Sequence, residues 1–318
     1  MPTFGDMVYH LGGVPAAAGL PLILGNVYFV SSVTGSSGND GTRDKPYLTV
    51  AQAIVNSTLN DCIIVMPGHT ETISSTVAGG SSLSFHVDSS HVNLTIWGVG
   101  NYDYMPTFTQ TAKIELKGAN CYLHNLKFVS GSTNLDQAMQ ITAKGVTIDG
   151  CRIEEVSAST YCYQEGVVVG SADNDSDGAT LIGNVLYMDS GQSSGAIIVT
   201  GAHNDLTINR NKIAGWFSSG GGPIFSADTA SMKNIEVGWN MIANTQSTAT
   251  NTFVGIKFDT KTGTGYIHNN YIQSETSGDG GATPVVVVNA TCTIGCFGNL
   301  HSGESGESGL LTPAVYAT

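Results

Sequence analysis

One short unit returns along this chain and limits what it can fold into. Residues 207–213 read TINRNKI, 236–242 read EVGWNMI and 266–272 read YIHNNYI; in each, an asparagine has an apolar residue three places before it and another two places after it. Aligned on that position, the series runs Val99, Leu126, Cys151, Asn184, Asn211, Asn240, Asn270 and Asn299, at intervals of 25 to 33 residues. Three places earlier stand Ile96, Leu123, Ile148, Leu181, Ile208, Val237, Ile267 and Cys296. The residue just before the marked position is Gly or Asn in most copies, with Arg210 and Trp239 as exceptions. A repeat of this length is one supersecondary unit that buries its apolar face only by stacking on its neighbours.

A second apolar run precedes each copy: AKIEL (112–116), AMQIT (138–142), GVVVG (166–170), GAIIVT (195–200), PIFSA (223–227), VGIKF (254–258) and PVVVV (284–288). These runs are short, rich in Val and Ile, and bounded by turn-forming residues, so they read as strands rather than helices. Each unit then holds at least two strands, a tight turn and a longer loop. The expected fold is all-β: a single-stranded right-handed parallel β-helix of eight or nine coils. Stacked coils lie about 4.8 Å apart. An inward asparagine at one turn of successive coils can therefore bond the asparagine above and below it, satisfying amides that would otherwise be buried unpaired. Asn184, Asn211, Asn240, Asn270 and Asn299 are read as such a structural ladder, not as an active site.

The chain has 318 residues, 40 of them Gly, and only 12% are charged, which suits a fold of tight turns and stacked strands. Net charge is −13 with 12 Lys and Arg and no basic cluster, which argues against nucleic acid as a partner. The six cysteines form no CxxC pair and lack His at metal spacing; Cys151 and Cys296 fall on the repeat columns, where Cys acts as a small hydrophobe. The opening residues lack a basic segment, and Gly and Pro break their apolar run, so neither a signal peptide nor a membrane span is expected.

Four segments follow. Residues 1–25 read as an extended arm in which Phe4, Met7, Val8, Tyr9 and Leu11 would attach to a partner. Residues 26–73 form a capping segment and first coil, with a helix over about 46–56 whose Leu48, Ala51 and Val55 share a face. Residues 74–302 are the β-helix coils, and 303–318 are a C-terminal tail.

The run NDGT (39–42), KPYLTVAQAI (45–54) and DCIIVMPGHTETI (61–73) resembles the opening of the pectate-lyase-like right-handed parallel β-helix superfamily. With YFVSS before it and PGHTETI at its end, it is similar to β-helix proteins carried by tailed bacteriophages. The resemblance spans about residues 27–300 and is sharpest over 27–73. It implies the fold directly, and function only as far as one fold can.

Enzymes of that superfamily act on acidic polysaccharides, either with carboxylates holding Ca²⁺ plus a basic residue or with paired Asp residues and a Gly-His-Gly segment. That segment is missing here, and of the three arginines, Arg43, Arg152 and Arg210, the two near the turns, Arg152 and Arg210, have no carboxylate cluster nearby in sequence. No catalytic residues are assigned, and the chain is not expected to be an enzyme. The strongest single motif is SADNDSDG (171–178), where Asp173, Asp175 and Asp177 alternate before a glycine as in the first half of a calcium loop. Calcium is the one cofactor it suggests; the bland reading is a solvated acidic turn. The eight histidines are dispersed and read as surface or turn residues. The expected function is a phage virion structural protein, a capsid decoration protein attached to the major capsid protein by its arm and forming a homotrimer. The alternatives are a tail spike or fibre that binds a surface glycan through loop aromatics (Tyr102, Tyr104, Tyr161, Tyr163, Trp216, Phe217), and a polysaccharide lyase or hydrolase.

Overall fold

In the computed structural model, residues 24–76, 84–156, 160–217, 222–226, 231–244, 254–258, 262–274, 286–289, 291–303, 308–310 and 314–316 are described. The arm residues Phe4, Met7, Val8, Tyr9 and Leu11 lie outside them.

Each coil contributes three strands, one more than the minimum read from the sequence. In the coil that starts at Tyr122, the chain runs through Tyr122–His124, Lys127–Ser130 and Leu135–Ile141 before Thr147–Asp149 starts the next. Corresponding strands stack into three sheets, here A, B and C in order around the coil. Among the described residues they hold eleven, ten and nine strands. Nearly all pairings are parallel and in register: Ile96, Leu123, Ile148, Leu181, Ile208, Val237, Ile267 and Cys296 are successive partners along sheet A. Ser308–Leu310 pairs antiparallel with Leu300–Gly303 at the C-terminal end. The fold is a parallel β-helix.

The alternation of side chains along a strand sets inside from outside. The middle residue of each short A strand points inward, and Ile96 through Ile267 in that column are buried. Sheet C supplies the Val and Ile runs, with Ile114, Met139, Val167, Ile197, Ile224 and Ile256 buried. Sheet B adds Phe108 and Phe128, whose rings stack at 5.4 Å; both also meet Phe85.

The corner between sheets A and B is the marked position of the repeat. It needs one residue with positive φ, and Asn125, Gly150, Gly183, Arg210, Trp239, Asn269 and Gly298 supply it. The next side chain points inward. Asn184, Asn211, Asn240, Asn270 and Asn299 are all buried there. Asn184, Asn211, Asn240 and Asn270 each donate Nδ2–H to the Oδ1 of the next asparagine at 2.9–3.0 Å. That same Oδ1 accepts the backbone N–H of the residue below it. The other Nδ2 hydrogen goes back to a sheet A carbonyl, such as Ile208 O for Asn240. The ladder begins where Asn184 Oδ1 accepts from Cys151 N.

The N-terminal helix spans Val50–Asn56, not 46–56, because Thr49 is its cap and accepts from Gln52 N. Its buried face is therefore Val50, Ala51, Ala53 and Ile54, while Leu48 and Val55 are exposed. Burial pushes the Cys62, Cys121 and Cys151 thiols up to about 12.

Candidate functional site

The three carboxylates of the 171–178 turn do not converge as a calcium cage requires. Asp173 accepts from Ala202 N, and Asp175 accepts from Ser171 N, Ser171 Oγ and Ala172 N. Asp177 accepts from Asn204 N with one oxygen and pairs with Lys144 through the other. Each acid closes its own turn or ties one coil to the next. Among the described residues no three His, Cys, Asp or Glu side chains gather to hold a metal.

The loop aromatics also separate. Tyr163 and Phe217 are core residues, and the Tyr163 hydroxyl donates to Gln110 Oε1. Tyr102 and Tyr104 are exposed. Tyr102 lies under the Arg152 guanidinium at 4.6 Å, beside the Lys127–Glu154 and Arg152–Glu154 ion pairs on sheet B. Glu154 and Glu155 diverge, as strand neighbours must. Glu154 faces out, while Glu155 is buried and accepts from Tyr163 N and Ser190 N. Burial pushes the Glu155 carboxyl up, against those hydrogen bonds.

The outer face of sheet A is where chemistry gathers. Residues on either side of the buried middle position point outward, and the register stacks them in two columns. One runs Trp97, His124, Asp149, Ile182, Asn209, Gly238, His268, Phe297. The other holds Tyr122, Thr147, Thr180, Thr207, Glu236 and Tyr266.

Towards the C-terminal end this face is cleft, with a volume of about 400 Å³ between Asp205, Thr207, Asn234, Ile235, Glu236, Tyr266, His268 and Phe297. The His268 and Phe297 rings stack at 5.2 Å, and Tyr266 meets Phe297 edge to face at 6.0 Å. Glu236 Oε1 accepts from Asn209 Nδ2 at 2.8 Å and lies 3.3 Å from His268 Nε2. Gly238 makes room: a Cβ there would sit 2.6 Å from His268 Cε1. Trp239 stands at the rim, edge-on to His268. Tyr266, Phe297 and Trp239 are 56%, 52% and 58% exposed, so three large rings are held in water around a polar floor.

Towards the N-terminal end a second group repeats the chemistry. Trp97 lies against His124 with ring centroids 3.9 Å apart and planes inclined by 34°, and the Tyr122 hydroxyl donates to Asp149 Oδ2 at 2.5 Å. The same oxygen lies 3.1 Å from His124 Nδ1. The hydrogen bond from His124, joined by that from Tyr122, holds the Asp149 carboxyl below the usual range, although partial burial opposes it. Burial, and then Asp149, push the Tyr122 phenol up.

None of this face was assigned from sequence. His124 and His268 read as turn residues because their carboxylate and aromatic partners are 25 to 32 residues away. The available signal was Tyr-x-His, which occurs at 122–124 and again at 266–268 on the same strand position of two repeats.

No protein-family model matches this chain, and no curated protein matches it. Among solved structures, it is similar to a rhamnogalacturonan lyase at 13% identity, covering 91% of this chain and 90% of that one, with a TM-score of 0.45. It is also similar to a GH136 lacto-N-biosidase from Eubacterium ramulus at 10% identity, covering 92% of this chain and 68% of that one, with a TM-score of 0.38.

Proposed function

We propose that this protein binds carbohydrate on the outer face of sheet A, and that it does so as a receptor-binding β-helix of a bacteriophage virion. The observation that carries the binding is the C-terminal cleft. A sugar presents C–H groups on its ring faces and hydroxyls around its edge. Exposed, edge-anchored rings such as Tyr266, Phe297 and Trp239 suit the faces, while Glu236, Asn209 and Asn234 supply acceptors and donors for the hydroxyls. The virion placement draws on the resemblance of residues 27–73. Of the two virion roles, decoration rests on the arm and a capsid partner, whereas the cleft favours the role in which a surface glycan is the partner.

Binding is favoured over bond cleavage by the state of the carboxyls. Glycoside hydrolysis needs a carboxyl held protonated beside the scissile bond. On this face Asp149 is pushed the other way, Glu236 in the cleft already accepts from Asn209 Nδ2, and Glu155, which is pushed up, is buried among Tyr163, Ser190 and Ser193.

The test is a panel of immobilised bacterial and plant polysaccharides, followed by calorimetry on each hit and by product analysis. Wild-type protein should retain at least one polysaccharide without shortening it. The Tyr266→Ala/Phe297→Ala double variant should lose tenfold or more in affinity, about 1.4 kcal/mol, with an unchanged circular dichroism spectrum. Failure to retain any polysaccharide sinks the proposal; release of oligosaccharide products replaces it with catalysis.

A further inference from the structure

The two groups on sheet A are arranged end to end in opposite order. Along the axis the outward side chains read aromatic, Tyr-x-His, acid at one end, with Trp97, Tyr122/His124 and Asp149. At the other end they read acid, Tyr-x-His, aromatic, with Glu236, Tyr266/His268 and Phe297. Each acid is paired with the histidine beside it, and each histidine meets the outermost ring, tilted by 34° against Trp97 and stacked on Phe297. The strands carrying the two Tyr-x-His units are five steps apart in the sheet, roughly 24 Å at ~4.8 Å per step. Between the two end groups the outward positions are Thr147, Thr180, Ile182, Thr207, Asn209 and Gly238, none of them longer than isoleucine or asparagine.

We infer that these are two subsites of one track, and that the ligand is a linear, uncharged oligosaccharide long enough to span both. This rests on the carbohydrate reading of the C-terminal cleft and extends it. Length follows from the spacing: a short sugar occupies one end only, while a longer chain reaches the second end as an intramolecular event and binds more tightly without any new kind of contact. Lack of charge follows from the lining. The two outward columns of the track carry Asp149 and Glu236 and neither Lys nor Arg, Asp205 lines the cleft beside them, and Arg210 and Lys233 adjoin Asn209 and Asn234 off those columns, on a chain of net charge −13. A polyanionic glycan would meet like charge at both ends of the track.

The test uses the full chain and purified cello-, manno-, malto- and chito-oligosaccharides from disaccharide to octasaccharide, with oligogalacturonates as the charged comparison. Affinity in at least one neutral series should rise a hundredfold or more once the oligomer is long enough to span about 24 Å. Thr180→Arg, at a position in the middle of the track that belongs to neither end group, should return long oligomers to the affinity of short ones. Trp97→Ala should do the same. Because Trp97 also packs against the buried Phe29, Cys62 and Ile64 cluster, Tyr122→Ala serves as the second variant at that end. In a Trp216→Phe background, short oligomers should perturb Trp239 fluorescence alone and long ones Trp97 as well.

Affinity that does not change with length, or long-oligomer binding that ignores Thr180→Arg and Tyr122→Ala, overturns the two-ended track while the C-terminal cleft stands. Tighter binding of oligogalacturonates than of every neutral series overturns the uncharged ligand. Absence of binding by every series removes the cleft reading together with the track.

Discussion

Asn240 shows what one side chain does in this fold. Its Oδ1 takes both Asn211 N and Asn211 Nδ2, and its Nδ2 serves Ile208 O and Asn270 Oδ1, all in a dry interior. Asn240→Ala leaves donors and a carbonyl without partners, and each buried polar group left unpaired costs about 1–3 kcal/mol. A drop in chemical-denaturation midpoint well beyond that of the exposed Asn101→Ala is expected; equal midpoints would refute the buried role. Trp239 shows the opposite economy. It holds φ at 59° although it is neither Gly nor Asn, and its ring is in water. A left-handed residue with a Cβ costs roughly 1–2 kcal/mol. Trp239→Gly should therefore be more stable than Trp239→Ala by about 1 kcal/mol, while both lose carbohydrate affinity to the same extent. Equal stability of the two variants would mean that the corner relaxes around any residue.

At the scale of elements, the strands are short and weak alone, and their partners one coil away hold them. The same stacking turns local residues into groups with chemistry, as Asp149 and His124 illustrate from adjacent strands. The Asp149 carboxyl is lowered in the folded state, so its contribution to stability is present above the ordinary value of 3.8 and is lost as pH falls through the lower, folded value. Wild type should lose more stability than Asp149→Asn on acidification from about pH 5 to about pH 2, by a small amount because the pair is partly in solvent. Parallel acid-melting curves for the two proteins would remove the His124–Asp149 pairing. The helix is the one element whose boundary depends on a cap. Thr49→Ala should cost about 0.5–2 kcal/mol, read in the denaturation midpoint, and a neutral result would mean that Glu71, which accepts from Val50 N, suffices.

For the whole molecule, three stacked sheets make a rod along which sheet A lines up its outward side chains coil after coil. That geometry suits an extended ligand laid across coils, and it leaves attachment to segments beyond the coils. If residues 1–25 join the rod to a virion, deleting them should abolish particle binding without altering the circular dichroism of the β-helix. Particle binding that survives the deletion would rule out attachment by the arm.

Much of this fold can be read without coordinates, for a physical reason. A solenoid repeats its environment, so the inward apolar position, the positive-φ corner and the inward asparagine recur at the coil period and are visible as Ile208, Arg210 and Asn211, then Val237, Trp239 and Asn240. Local chemistry also sets the Val- and Ile-rich strands of sheet C and the helix, although the sequence pattern misjudged the helix start because Thr49 caps it in place of Pro46. Which side chains gather on one face was decided only by stacking. The register brings His268 against Phe297 and Glu236 beside Asn209, and it parts Asp173, Asp175 and Asp177 although they are neighbours in sequence. Proximity along the chain and proximity across coils are independent in a β-helix: residues one coil apart lie about 4.8 Å from each other, while adjacent residues on a strand face opposite sides.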